Sequence, residues 1–316
     1  MPSRRRVALA LGVIAALATG CEMAFEHVGA GALVYAPNAG RPPAADADPL
    51  PAGLAGRALR VEVGPPRAAL AVWVLDPAGA PRGTVFVLHG IRDRKRSLVG
   101  WGQHLTALGY RAALVDHRGQ GASSGDFMTY GVVESRDLGQ VADTLAREGL
   151  LAGRLGVMGT SYGAATAIEW AGADPRVAAV IAVAPFASLR AVVPRYVELL
   201  LPGVGGLVPG AVVTRAITRG GRTAGFDPDG ASPLDAIGKT RAPVLLVHGK
   251  DDQHILPWHS ESLHARAPDH SELLLVDGED HISINADRHG VLWAHAEPWL
   301  ARALGTAASP LPPEAP

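Results

Sequence analysis

Uninterrupted apolar stretches alternate along the chain with segments whose apolar positions recur every three to four residues. Thr84 to Leu88, Arg111 to Val115, Leu155 to Met158, Val177 to Ala184, Val244 to His248 and Leu273 to Val276 read as strands covered on both faces. Between them, Ser97 to Leu108, Val132 to Glu148, an alanine-rich run ending near Ala171, Pro257 to Arg266 and Val291 to Leu304 carry helical spacing. Strand and helix in alternation predict right-handed crossovers, a mostly parallel sheet and helices on both of its faces. Ligands of such sheets gather at the carboxyl ends of the strands. Ahead of the series, Leu59 to Val63 and Ala69 to Leu75, separated by Gly64-Pro65-Pro66, predict an antiparallel hairpin that leads the sheet.

Four segments break the rhythm. Residues 186–232 carry an apolar stretch, Val192 to Val213, interrupted by prolines and glycines, and read as a helical cap inserted over the site; such a cap predicts an apolar pocket or membrane contact. Residues 22–56, rich in Pro, Ala and Gly, read as an extended arm, and the proline-rich 306–316 as a disordered tail, which leaves 57–305 as the folded domain. Residues 1–21 read as an export signal: Arg4-Arg5-Arg6, the apolar run Val7 to Ala18, then Leu17-Ala18-Thr19-Gly20-Cys21. The run is shorter than the roughly 20 residues that span a bilayer. Its ending resembles a bacterial lipobox, with Ala18 where that pattern usually has leucine. The resemblance implies lipidation at Cys21 and an exported, envelope-bound protein; plain secretion and an uncleaved anchor are the alternatives. Ser3-Arg4-Arg5 also has a loose likeness to a twin-arginine signal.

Composition adds little beyond exclusions. A formal net charge of −1 provides no basic field for nucleic acid. Cys21 is the only cysteine, so no intrachain disulfide can form. The 12 histidines fit no familiar metal-ligand spacing, and neither a metal nor a cofactor is expected. Oligomeric state is not legible.

The candidate chemistry starts at Gly159-Thr160-Ser161-Tyr162-Gly163, between a short strand and a helix with no spacer. A chain that reverses so sharply strains the serine backbone, and Gly159 and Gly163 remove side chains that would collide there. With 38 glycines in the chain a lone G-x-S-x-G is weak, so its context must carry the inference. A serine hydroxyl needs a neutral imidazole and an orienting acid. Asp251 and Asp252 both follow the strand ending at His248. His281 follows the last strand through a short loop, in the chain order serine, acid, histidine. Oxyanion stabilisation calls for two backbone N–H donors. Tyr162, the residue after the serine, supplies one; the loop His89-Gly90-Ile91 supplies the second at Ile91, with Gly90 letting the backbone approach.

Taken in order, HG after a strand, DHRGQGASSG, GTSYG, HGKDD and GEDH resemble the α/β-hydrolase superfamily over roughly Leu59 to Leu304, nearest to its carboxylesterase, monoglyceride-lipase and serine-aminopeptidase-like branches. The resemblance implies the α/β-hydrolase fold and a Ser-His-Asp triad. It maps the acid of HG-x-x-D onto Asp252 rather than Asp251, and the base onto His281. It assigns Asp116 to Gly125 a mainly structural role. Ile91 departs from the small or polar residue common there, and Glu279-Asp280 adds negative charge beside His281, which would raise its pKa if those side chains lie close. The expected function is hydrolysis of a carboxylic ester with an apolar acyl group. Peptidase or thioesterase action is the alternative, with the acidic pairs 251–252 and 279–280 as amine-recognising groups, and a non-catalytic envelope lipoprotein is a further reading.

Overall fold

The computed structural model describes residues 20, 22–42, 48–287 and 289–305. The signal segment 1–19, Cys21 with its expected lipidation, and the tail 306–316 lie outside the described residues. Eight strands form one sheet: β1 (Gly56–Val63), β2 (Ala68–Leu75), β3 (Gly83–Leu88), β4 (Arg111–Val115), β5 (Arg154–Thr160), β6 (Val177–Val183), β7 (Val244–Gly249) and β8 (Ser271–Val276). Their spatial order is β1-β2-β4-β3-β5-β6-β7-β8. β1 and β2 make the expected antiparallel hairpin, β2 pairs antiparallel with β4, and every later pairing is parallel.

Apolar runs are continuous because both faces are covered. On β3, Phe86 and Leu88 point to one face, where they pack with Leu138 and Val141 of α3 (Glu134–Arg147) and Ile168 and Trp170 of α4 (Tyr162–Ala173). Val85 and Val87 point to the other, against Trp101 and Leu105 of α2 (Val99–Ala107) and Trp299 and Leu300 of α10 (Val291–Leu304). The period of two along each strand thus divides the core into two layers. The fold is the α/β-hydrolase fold the motifs imply.

Between β6 and β7 the chain forms α5 (Leu189–Leu200), α6 (Gly210–Ala224) and the short α7 (Pro233–Ile237). The structure corrects the reading of 22–56 as extended throughout. Residues 22–34 form a helix, α1. Its apolar positions Phe25 and Leu33, with the fully buried Val34, join a third cluster with Phe186, Val192, Val213 and Ile217. Glu22 and Glu26, one turn apart, meet Arg215 and Arg219 of α6 at 2.8 to 3.4 Å. These partners lie some 190 residues along the chain, so composition alone hides the helix. α8 (Trp258–Arg266) and the single turn α9 (Ser283–Ala286) complete the described elements. No helix among the described residues is long and apolar enough to cross a membrane.

Candidate active site

The sharp reversal after β5 is built from the small residues around Ser161. Its φ of 54° and ψ of −114° put a non-glycine residue in a sparsely populated region, a conformation that costs on the order of 1–3 kcal/mol and persists only where surroundings over-determine it. The Ser161 amide donates to Val183 O at 2.8 Å, and Ala165 N returns to Ser161 O at 3.0 Å. A Cβ at Gly159 would lie 2.3 Å from Gly163 O, and one at Gly163 would lie 2.3 Å from Leu88 O. Both contacts are with backbone, so neither position admits a side chain without moving a strand or the helix. Gly90 differs from expectation. A Cβ there would meet Ser161 Cβ at 3.7 Å, an ordinary contact; the approach does not compel glycine, and a side chain would instead occupy space beside the hydroxyl.

Three loops at the carboxyl edge of the sheet converge. Ser161 Oγ lies 3.2 Å from His281 Nε2, and His281 Nδ1–H donates to Asp252 Oδ2 at 2.6 Å. Asp252 Oδ1 accepts the amides of His254 and Ile255 at 2.8 and 2.9 Å. All three side chains are buried, whereas Asp251 is exposed. Burial alone would raise the Asp252 pKa, but hydrogen bonds from His248 and His281 outweigh it and hold the carboxyl well below the usual range. Glu279 is taken up by His289, and Asp280 Oδ1 caps the amides of Ile282 and Ser283 at 2.9 and 2.8 Å. The extra charge flanking His281 in sequence is therefore spent on other partners.

Ile91 and Tyr162 border the same cavity as Ser161. Tyr162 opens α4, whose first amides have no intrahelical acceptor. His89 fixes the loop before Ile91: its Nδ1–H donates to Gly90 O at 2.7 Å and its Nε2 accepts from His117 N at 3.1 Å. Burial lowers the pKa of both His89 and His117, in keeping with neutral rings. The cavity itself holds about 770 Å³. Phe25, Val28 and Leu33 of α1 and Val193, Val197 and Leu200 of α5 line it. Arg92 is the one charged lining residue among those described, and its guanidinium donates to Ala32 O at 2.7 Å. Among the described residues no group of three or more His, Cys, Asp or Glu is placed to hold a metal.

A family model described as "Serine aminopeptidase, S33" matches residues 79–226, which include the His89 loop and the elbow and stop before Asp252. The chain is 31% identical over 217 residues to uncharacterized protein YqkD of Bacillus subtilis (strain 168), covering 65% of this chain and 67% of that one. The chain belongs to the α/β-hydrolase superfamily. Among solved structures, the fold of this hydrolase is similar to that of the Pyrococcus furiosus esterase Pf2001, with a TM-score of 0.66 at 19% identity over 83% of this chain and 99% of that one. It is also similar to Pyrococcus horikoshii acylaminoacyl peptidase, with a TM-score of 0.59 at 16% identity over 82% and 43%.

Several residues of the hydrolase site escape a sequence reading. His248 lies 3.3 Å from Asp252 Oδ2, while its ring nitrogens also engage Ile255 O and Ser260 Oγ, each at 2.7 Å; its place as the first residue of HGKDD, near the end of β7, was the available signal. Asn285 donates to His281 O and approaches Thr160. Asp116 accepts Lys95 Nζ at 2.8 Å and Ala122 N at 2.8 Å, and Arg118 forks onto Asp137 at 2.8 Å, so the 116–125 loop is held by buried ion pairs. Nothing in sequence marks Lys95, in a charged loop, as 1% exposed.

Proposed function

We propose that this hydrolase is a serine esterase that cleaves carboxylic esters of apolar acyl groups through an acyl-enzyme. Ser161 Oγ attacks the carbonyl carbon while its proton passes to His281 Nε2. Asp252 orients the imidazole and stabilises its charge, and the Ile91 and Tyr162 amides stabilise the oxyanion. The C–O bond to the leaving alcohol then breaks, the alcohol departing with the proton from His281. Water, deprotonated by the same imidazole, releases the acid and restores the serine.

The observation that carries this reading is the Ser161–His281–Asp252 chain, at 3.2 and 2.6 Å, opening onto an apolar cavity. The lining of the same cavity favours the ester reading over aminopeptidase action. A free substrate amine needs a carboxylate, and among the described lining residues there is none; Asp252, Glu279 and Asp280 each have other partners. Peptidase action, the second reading, finds its support in the description of the matching family model and in the acylaminoacyl peptidase among the similar folds. Burial of a full alkyl chain suits ester and thioester substrates alike. We place the protein in the cell envelope, on the strength of Arg4-Arg5-Arg6, the Val7–Ala18 run and Cys21.

A panel of short and long acyl esters, thioesters and aminoacyl amides, run with wild type and Ser161→Ala, tests the reading. It expects the highest kcat/KM on an ester with a chain of several carbons and no turnover by Ser161→Ala; preference for an aminoacyl amide overturns it.

A further inference from the structure

Six of the nine large apolar side chains that stand in solvent among the described residues are Met23 and Val28 of α1 and Leu200, Leu201, Val204 and Leu207 at and beyond the end of α5. Val28, Leu200 and Leu201 also line the cavity above Ser161, although they are 72%, 74% and 37% exposed. They therefore form its mouth. Val204 and Leu207, 55% and 79% exposed, continue the same rim through the turn in which Val204 N bonds Leu201 O and Leu207 N bonds Val204 O. Carboxylates near this rim are already neutralised: Glu22 and Glu26 by Arg215, and Glu198 by Arg195 at 2.9 Å. A contiguous apolar rim with paired charges marks a surface meant to be covered.

The sequence identifies what covers it. Only three residues in sequence, Thr19, Gly20 and Cys21, lie between the apolar run Val7–Ala18 and Glu22 of α1. Three residues reach at most about 10 Å. A membrane held by that run, or by an acyl group on Cys21, would sit at the start of α1, next to Met23 and less than two turns of helix, about 9 Å, short of Val28. We infer that the rim formed by α1 and the end of α5 is a bilayer-docking surface, through which the acyl chain of a membrane-resident ester passes directly into the cavity above Ser161. α1 then has two roles, as anchor-proximal helix and as a wall of the acyl site. It is locked to the cap by Arg215 and Arg219, and to the body by Tyr130 Oη–H, which donates to Leu33 O at 2.8 Å. The passage of substrate rests on the esterase reading; the docking does not.

Two measurements separate these parts. In the full chain carrying Cys21→Ser, a single cysteine is introduced by Val204→Cys or, as a control, by Ala146→Cys, an exposed position of α3, a helix that lines no part of the cavity. Each is labelled with a polarity-sensitive fluorophore and mixed with vesicles of equal parts phosphatidylcholine and phosphatidylglycerol. The docking surface predicts a blue shift at position 204 and none at 146; no shift at 204, or equal shifts at both, overturns it. In the second, Val204→Asp/Leu207→Asp, at two rim positions that do not line the cavity, is compared with wild type on a water-soluble acetate ester and on a long-chain ester embedded in the same vesicles. Passage from the bilayer predicts acetate turnover within about twofold of wild type and embedded-ester turnover lowered at least about tenfold; equal effects on both substrates overturn it. Wild type that turns over neither ester refutes the esterase reading, while the fluorescence result still decides the docking.

Discussion

His281 Nδ1 lies 2.6 Å from Asp252 Oδ2, while Asp251, one residue earlier, points into solvent. One peptide unit thus separates a buried carboxylate bonded to His281 from a surface one. Asp252→Ala should lower kcat by about 10³- to 10⁴-fold, the scale seen when the acid of such a triad is lost. Asp251→Ala should leave it within about threefold. Steady-state kinetics on one ester with both variants checks the assignment, and the reverse ranking would transfer the role to Asp251.

The depressed pKa of Asp252 has a consequence for stability. Its folded-state pKa is below the unfolded reference of about 3.9, so the stabilisation is present in full above that value and is lost as pH falls through the folded value. The difference in urea midpoint between wild type and Asp252→Asn should be flat from about pH 7 to 5 and shrink below about pH 4.

Glu169 behaves in the opposite sense. It is buried on α4, one of its carboxylate oxygens has no partner among the described residues, and burial together with nearby Glu134 raises its pKa well above the ordinary value. The unfolded chain gives up this proton at lower pH than the folded one, so the group destabilises the fold increasingly as pH rises above about 4.3. Glu169→Gln should melt higher than wild type at pH 8, with the gain vanishing toward pH 4; an unchanged or lower melting temperature at pH 8 contradicts it.

The two glycines beside the nucleophile should separate stability from activity. Gly163→Ala puts a methyl 2.3 Å from Leu88 O and should cost at least about 2 kcal/mol by denaturant unfolding, at the upper part of the range for overpacking. Gly90→Ala meets only an ordinary 3.7 Å contact with Ser161 Cβ. Its stability should stay within about 0.5 kcal/mol, whereas kcat/KM should fall because the methyl stands beside the reacting hydroxyl.

These contrasts show what the sequence could and could not reveal. Strands such as Val85–Leu88 were legible because alternate residues are buried on opposite faces, leaving no polar position to interrupt the run. The elbow was legible because strand, small-residue turn and helix are contiguous. By contrast, α1 depends on a cap almost two hundred residues away, and its small residues Gly29, Gly31 and Ala32 resemble those of a linker. Lys95 and His248 were hidden for a related reason: each is buried by partners remote in sequence or across a turn, and a charged or imidazole side chain carries no local mark of burial.

Cavity shape should control chain length. Val193 of α5 lines the cavity above Ser161; if that cavity takes the acyl chain, Val193→Trp should reduce kcat/KM for a long-chain ester at least about tenfold more than for an acetate ester, since each excluded methylene removes roughly 1 kcal/mol or more of binding. Equal losses on both would remove the cavity from the acyl-binding role.

The most direct test of the central claim is labelling of the purified protein with a fluorophosphonate probe, followed by peptide mapping and assay of ester turnover. The account predicts a single adduct on Ser161 in wild type, and neither adduct nor turnover in Ser161→Ala. Turnover retained by Ser161→Ala, or an adduct on another residue that tracks with activity, would contradict it.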